Sequence, residues 1–138
     1  MKLVVAVRLF PDAAQEAALG DTLALCNRAA NHASAQAFQA GVTGKQPLQG
    51  LVYRDLKAMG LSAQPAIHVA RKVAGAYAAL KANIRAGNLN APASKRRKQA
   101  ESHPVRFRPD AAQPFDDRCL SWQLTAGTVT KSMSTRPY

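Results

Sequence analysis

Two stripes of small and aliphatic residues constrain this chain more than any other feature. Leu19, Leu23, Cys26, Ala30, Ala33 and Ala37 recur at alternating steps of four and three, the spacing that collects side chains on one face of an α-helix. Ala66, Ala70, Val73, Tyr77, Leu80 and Ile84 repeat the pattern. Small residues dominate the first stripe, so another helix can approach it closely. Hydrophobic residues make up 47% of the 138-residue chain but aromatics only 6%, which predicts a thin core of modest stability. The first helix is expected to open at Pro11-Asp12 and run to about Ala40. Asp12, Glu16 and Asp21 lie in its first turns, where they oppose the helix dipole favourably. A short helix is expected over Gln49 to Met59, ended by Gly60, and Gly87-Asn88 supplies the stop of the second long helix.

Strand signals lie at the two ends. Residues 2 to 9 are rich in β-branched side chains and end at Phe10-Pro11, Val105-Arg106-Phe107-Arg108 alternates, and Leu120 to Leu124 and Thr128 to Thr130 read similarly. The order strand, helices, strands predicts an α+β chain in which an N-terminal strand joins the later strands in one small sheet or barrel, with the helices inserted between them. Between the second long helix and Pro104, residues 88 to 103 contain Pro92, Ser94 and the run Lys95-Arg96-Arg97-Lys98, the composition of an exposed, mobile loop.

The charge is concentrated in the middle of the chain. Lys and Arg against Asp and Glu give 3 − 3 = 0 for residues 1 to 44, 13 − 2 = +11 for residues 45 to 108, and 3 − 3 = 0 for residues 109 to 138. A general solubility charge would be spread over the surface, whereas a confined block suits a phosphate backbone. Nucleic acid is the expected partner, and no membrane or small-molecule substrate is implied. The apolar start is interrupted by Arg8 and Pro11-Asp12 short of secretory or spanning length. Cys26 and Cys119 are far apart and give no zinc-type spacing, so two reduced thiols in a cytoplasmic protein are expected. The sequence indicates no cofactor.

Phe107-Arg108-Pro109-Asp110-Ala111-Ala112-Gln113-Pro114-Phe115-Asp116-Asp117-Arg118-Cys119-Leu120-Ser121-Trp122 resembles the segment FRxDxAxPFDDRCLSW of TnpB-type (OrfB-like) proteins of bacterial insertion sequences. Leu9-Phe10-Pro11, Cys26-Asn27-Arg28-Ala29, Tyr53 to Leu56 and Leu61 to Gln64 fit further stretches of that family, and the resemblance covers about residues 2 to 130. It implies an RNA-guided DNA nuclease of transposable elements, often described as a transposase and similar to the ancestors of type V CRISPR effectors. Its N-terminal half is a wedge domain, an oligonucleotide-binding-like β-barrel interrupted by a helical recognition insertion that holds guide RNA, heteroduplex and target-flanking DNA. On that pattern residues 1–10 form the first barrel strand, residues 11–103 the helical insertion with its basic loop 88–103, and residues 104–138 the remaining barrel strands and an aberrant tail. Catalysis in the family belongs to a later RuvC-like domain followed by a zinc ribbon, neither of which this sequence reaches. The expectation is therefore a truncated copy, frameshifted or decayed, with an incomplete barrel that binds but does not cut. A stand-alone basic RNA- or DNA-binding accessory or regulatory module and a non-functional relic are the alternatives.

Several residues are candidates for contact with nucleic acid. Lys95, Arg96, Arg97 and Lys98 form the densest cationic run, and Arg71, Lys72, Lys81 and Arg85 lie on the second long helix away from its apolar stripe or on its shoulder. Such cations would bind phosphates by counterion release, without reading sequence. Arg106 and Arg108 would share one strand face opposite Phe107. The resemblance places Tyr53, Arg54, Lys57 and Gln64 near the target-flanking DNA, where an aromatic can stack and an amide can bond a base edge; a core role for Tyr53 and a helix-start role for Gln64 are the plainer readings. Asp116-Asp117 suggests a turn, with an aspartate bonding backbone amides or Arg118, because adjacent acids on extended chain diverge and no third ligand is near in sequence. His32, His68 and His103 are isolated, no grouping marks a nucleophile, and Trp122 suits a core. No catalytic or metal-ligating set is expected.

Overall fold

The computed structural model describes residues 1–131. It contains helices α1 (Ala13–Ala40), α2 (Lys45–Ala58), α3 (Ala63–Arg85) and α4 (Lys95–Ser102), then strands β1 (Leu120–Gln123) and β2 (Thr128–Lys131). Helices α1, α2 and α3 pack against one another pairwise. Each boundary has a local cause. Asp12 caps α1 through a reciprocal capping box, its carboxylate accepting the Gln15 amide at 2.8 Å while the Gln15 side chain accepts the Asp12 amide at 3.0 Å. Gly41 ends the helix at φ +66°, a left-handed conformation that glycine adopts without steric penalty.

The core is the interior of this helical trio. Cys26, Ala30, Ala33 and Ala37 from α1 meet Ala66, Ala70, Val73 and Tyr77 from α3, so the interior ends of both sequence stripes are buried. Leu48, Val52 and Leu56, at steps of four on α2, supply the larger aliphatic volume. Alanines on α1 and bulkier residues on α2 and α3 interdigitate, as close packing requires.

The expected barrel is absent from the described residues. Their only sheet is the antiparallel hairpin β1–β2, with Trp122 opposite Val129. The fold is small and α-rich, with α1, α2 and α3 as its body, instead of a wedge-type barrel carrying a helical insertion. Residues 1–10 join no ladder; Met1, Leu3, Val4, Val5, Val7, Leu9 and Phe10 are exposed. Val7 to Phe10 only line a shallow groove with Trp122, Leu124 and Val129 of the hairpin. Residues 104–108 form no strand either, for a reason given below. Residues 88–103 do not form a continuous loop, because Lys95 to Ser102 is helical. There Ser94 accepts the Arg97 amide at 3.2 Å as N-cap, and Arg97 pairs one turn on with Glu101 at 3.2 Å. The tail from Ser132 to Tyr138 lies outside the described residues.

Candidate nucleic-acid interface

The segment from Pro104 to Arg108 is extended and ends in a turn over Pro109 and Asp110, closed by the Ala111 amide on the Arg108 carbonyl at 3.0 Å; helix side chains bond this stretch in place of another strand. Ser34 Oγ donates to the Val105 carbonyl. Asn31 donates from Nδ2 to the Phe107 carbonyl at 3.1 Å and accepts the Phe107 amide through Oδ1 at 2.8 Å. Asn27 Nδ2 donates to the carbonyls of Pro109 and Ala111 at 3.0 and 2.9 Å. Thus 27, 31 and 34 of α1 meet 109, 107 and 105 in antiparallel order. Four residues of helix advance about 6 Å and two of extended chain about 6.6 Å, so the two periodicities stay in step over this short distance. Tyr77 completes the strap: its hydroxyl donates to the Ser34 carbonyl at 3.0 Å and accepts the Val105 amide at 3.3 Å.

This strap orients three candidate residues. Phe107 packs against the core, while Arg106 and Arg108 are exposed on the other side, the alternation expected of extended chain. Lys72 faces inward to the strap. Its ammonium donates to Asn27 Oδ1 at 2.7 Å and lies 5.0 Å from the centre of the Phe107 ring. Burial pushes the Lys72 ammonium below the ordinary lysine range, while neighbouring Cys26 acts in the opposite direction. Lys72 is therefore a structural cation, held by an amide and an aromatic face, and is poorly placed to reach a phosphate.

The other cations are distributed over three helices. Arg54 and Lys57 are exposed on α2, and Arg71, Lys81 and Arg85 on α3. Arg71 and Arg85 are separated by 14 positions and so stand on one line, about 21 Å apart. Lys81 donates to Thr43 at 2.7 Å, which ties it to the α1–α2 turn. Lys95, Arg96 and Lys98 are exposed and Arg97 partly so. All four occupy the first turn of α4, which has no acidic residue. The helix dipole already places positive potential there, so an adjacent anion would relieve an unfavourable local field.

Tyr53 and Gln64 have structural partners. Tyr53 is half-buried against the core and lines a groove with Gln49, Gly50, Arg54 and Ile67; Gln64 accepts Arg118 at 3.2 Å. The structure thus leaves Tyr53 accessible beside Arg54 and engages Gln64 with the turn that precedes the hairpin. Sequence reasoning missed Asn27, Asn31 and Ser34. Their signal is a polar line at four-three spacing, one position along from the apolar line Cys26, Ala30, Ala33.

That same turn carries a second constellation. Asp116 accepts the Arg118 amide at 3.0 Å and the Cys119 thiol at 3.4 Å through Oδ1, and its Oδ2 lies 3.1 Å from His68 Nε2. Burial works to raise the Asp116 carboxyl, but the Arg118 amide, the Cys119 thiol and the His68 ring outweigh it and hold the group below its usual range. Neither cysteine is in a disulfide. No family model, curated protein or solved structure matches the chain. Among the described residues, no helix is long and apolar enough to cross a membrane.

Proposed function

We propose that the chain is a nucleic-acid-binding module of a TnpB-like, transposon-associated protein, gripping phosphate backbones through the basic segment 45–108. One observation carries this reading. Of the 13 Lys and Arg in that segment, only Arg97 and Arg108 have a carboxylate partner among the described residues. The protein thus keeps 13 − 2 = 11 cations without a carboxylate in ion-pair contact among the described residues, and most of them are exposed. Holding so many like charges together has a self-repulsion cost that a polyanion removes.

The resemblance of residues 107–122 to TnpB-type proteins supplies the class of ligand, a structured guide-type RNA together with DNA. Lys95, Arg96, Lys98, Arg106, Arg71 and Arg85 are the contacts with least competition from other partners. Their role is affinity and positioning, since phosphate contacts carry no sequence information. Fluorescence anisotropy with a structured RNA across a salt series tests this. We expect log K to fall linearly with log salt, and the double reversal Arg96→Glu with Lys98→Glu to flatten the slope by about two contacts, each removed cation accounting for roughly one. A salt-independent affinity, or an unchanged slope in the double variant, would overturn the assignment.

A further inference from the structure

We propose that His68, Asp116 and Cys119 form a binding site for a divalent metal ion, with Zn2+ the best chemical match. One atom from each residue, an imidazole nitrogen, a carboxylate oxygen and the thiol sulfur, lies within 4.8 Å of the other two. The carboxylate faces both partners, with Oδ2 3.1 Å from His68 Nε2 and the other oxygen, Oδ1, 3.4 Å from Cys119 Sγ. Ligand bonds of about 2.0 to 2.3 Å in a tetrahedral zinc site give edges of roughly 3.3 to 3.7 Å. With every separation in the triangle within 4.8 Å, a contraction of about 1 Å or less brings the three donors to the edges that the ion would impose.

An independent observation points into the same triangle. The His68 side chain is nine-tenths buried, with 10% exposure. Its Nε2 has an ion-pair approach of 3.1 Å to Asp116 Oδ2, outside good hydrogen-bond geometry, and no other polar partner among the described residues. Buried ring nitrogens normally have a partner, and a metal ion would supply one. Asp116 and Cys119 stand three residues apart on a turn closed by amide bonds from Cys119 and Leu120 to the Asp116 carbonyl, so two ligands are pre-set before the third arrives from α3.

The donor set defines the ion. Thiolate with imidazole and carboxylate suits Zn2+ and disfavours Mg2+ or Ca2+, which take oxygen ligands. Asp116 is the most exposed of the three, at 31%, so the fourth position opens to solvent beside it and water completes the tetrahedron. Binding deprotonates the Cys119 thiol and releases that proton to solvent. The ion would clamp the turn before β1 onto α3, where Arg118 and Gln64 already hold it.

Reduced, chelator-stripped protein titrated with Co2+ provides the test. We expect thiolate-to-cobalt charge transfer with the visible bands of tetrahedral coordination, saturating at one equivalent and displaced by Zn2+. Cys119→Ser should abolish the charge-transfer band, His68→Gln should weaken Co2+ binding at least tenfold, and Cys26→Ser should keep the band. Circular dichroism checks the helices; should Cys119→Ser lose helicity, the affinity of His68→Gln decides the matter. The proposal is overturned by absence of the band in the unaltered chain, by its survival in a folded Cys119→Ser, or by unchanged affinity in His68→Gln.

Discussion

Residues 2–9 and residues 105–108 both lie in segments that sequence periodicity assigns to strands, and neither enters a β-ladder. They end in opposite circumstances. The later segment has its carbonyls and amides bonded by Asn27, Asn31, Ser34 and Tyr77, and it seats Phe107 on the core. The earlier one leaves Leu3, Val4, Val5 and Phe10 exposed, and none of its residues 1–10 has a backbone bond of this kind among the described residues. Alternation selects an extended backbone because of where side chains must point. What that backbone pairs with depends on donors and acceptors elsewhere, and here a helix provides them to one segment and not to the other.

The largest effect should come from removing the ground on which the bonded segment rests. Leu56 is fully buried between the helices, and Leu56→Ala should cost about 2–5 kcal/mol in urea unfolding, through lost transfer energy and the cavity left behind. If the strap belongs to the helical unit, Phe107 amide protection and helical ellipticity should be lost at the same urea concentration. Separate transitions would split the strap from the trio. Asn27→Ala comes next, because Asn27 is 1% exposed and its loss leaves the Pro109 and Ala111 carbonyls and the Lys72 ammonium without their partner. About 2–3 kcal/mol is expected, near the upper range for an orphaned buried group that serves a charge. Asn31→Ala removes two bonds to Phe107, but Asn31 is exposed and water replaces it, so about 1 kcal/mol is expected. Equal losses for the two asparagines would show that burial does not rank these contacts.

The helices were legible because their causes are local. Asp12 and Gly41 bound α1, and the four-three stripes name the buried faces. The two short strands were legible from their own alternation, but their pairing as a hairpin across the turn at Gly127, φ +61°, was not. The barrel expectation failed because it assigned partners to extended segments, and partner choice is not written in a strand's own alternation. The helix over Lys95–Ser102 was hidden by its charge: a run of cations suggests a solvated loop, yet Lys, Arg, Gln, Ala and Glu are all good helix formers once Ser94 caps them. At the candidate interface, exposure of Arg71 and Arg85 followed from their place off the apolar stripe and that of Lys95 from its charged run, whereas Lys72 was drawn inward by Asn27 and Phe107. The His68, Asp116 and Cys119 grouping was illegible because its members come from a helix and a turn far apart in sequence.

The smallest predicted effect is the most direct check on the contrast between the two segments. Val5 is exposed, so Val5→Ser should change unfolding free energy by less than about 0.5 kcal/mol, the ordinary range for a surface substitution. Native-state hydrogen exchange should show the same division, since Phe107 donates its amide to Asn31 at 2.8 Å and exchange requires that bond to open. The amides of Val4 and Val5 should exchange at near the unfolded rate while Phe107 is protected. A loss of 2 kcal/mol or more in Val5→Ser would mean that the N-terminal segment buries its valines against a surface after all. It would then belong with the strap as a bonded element, and the difference between the two segments would lie in what covers them, no longer in whether they are covered.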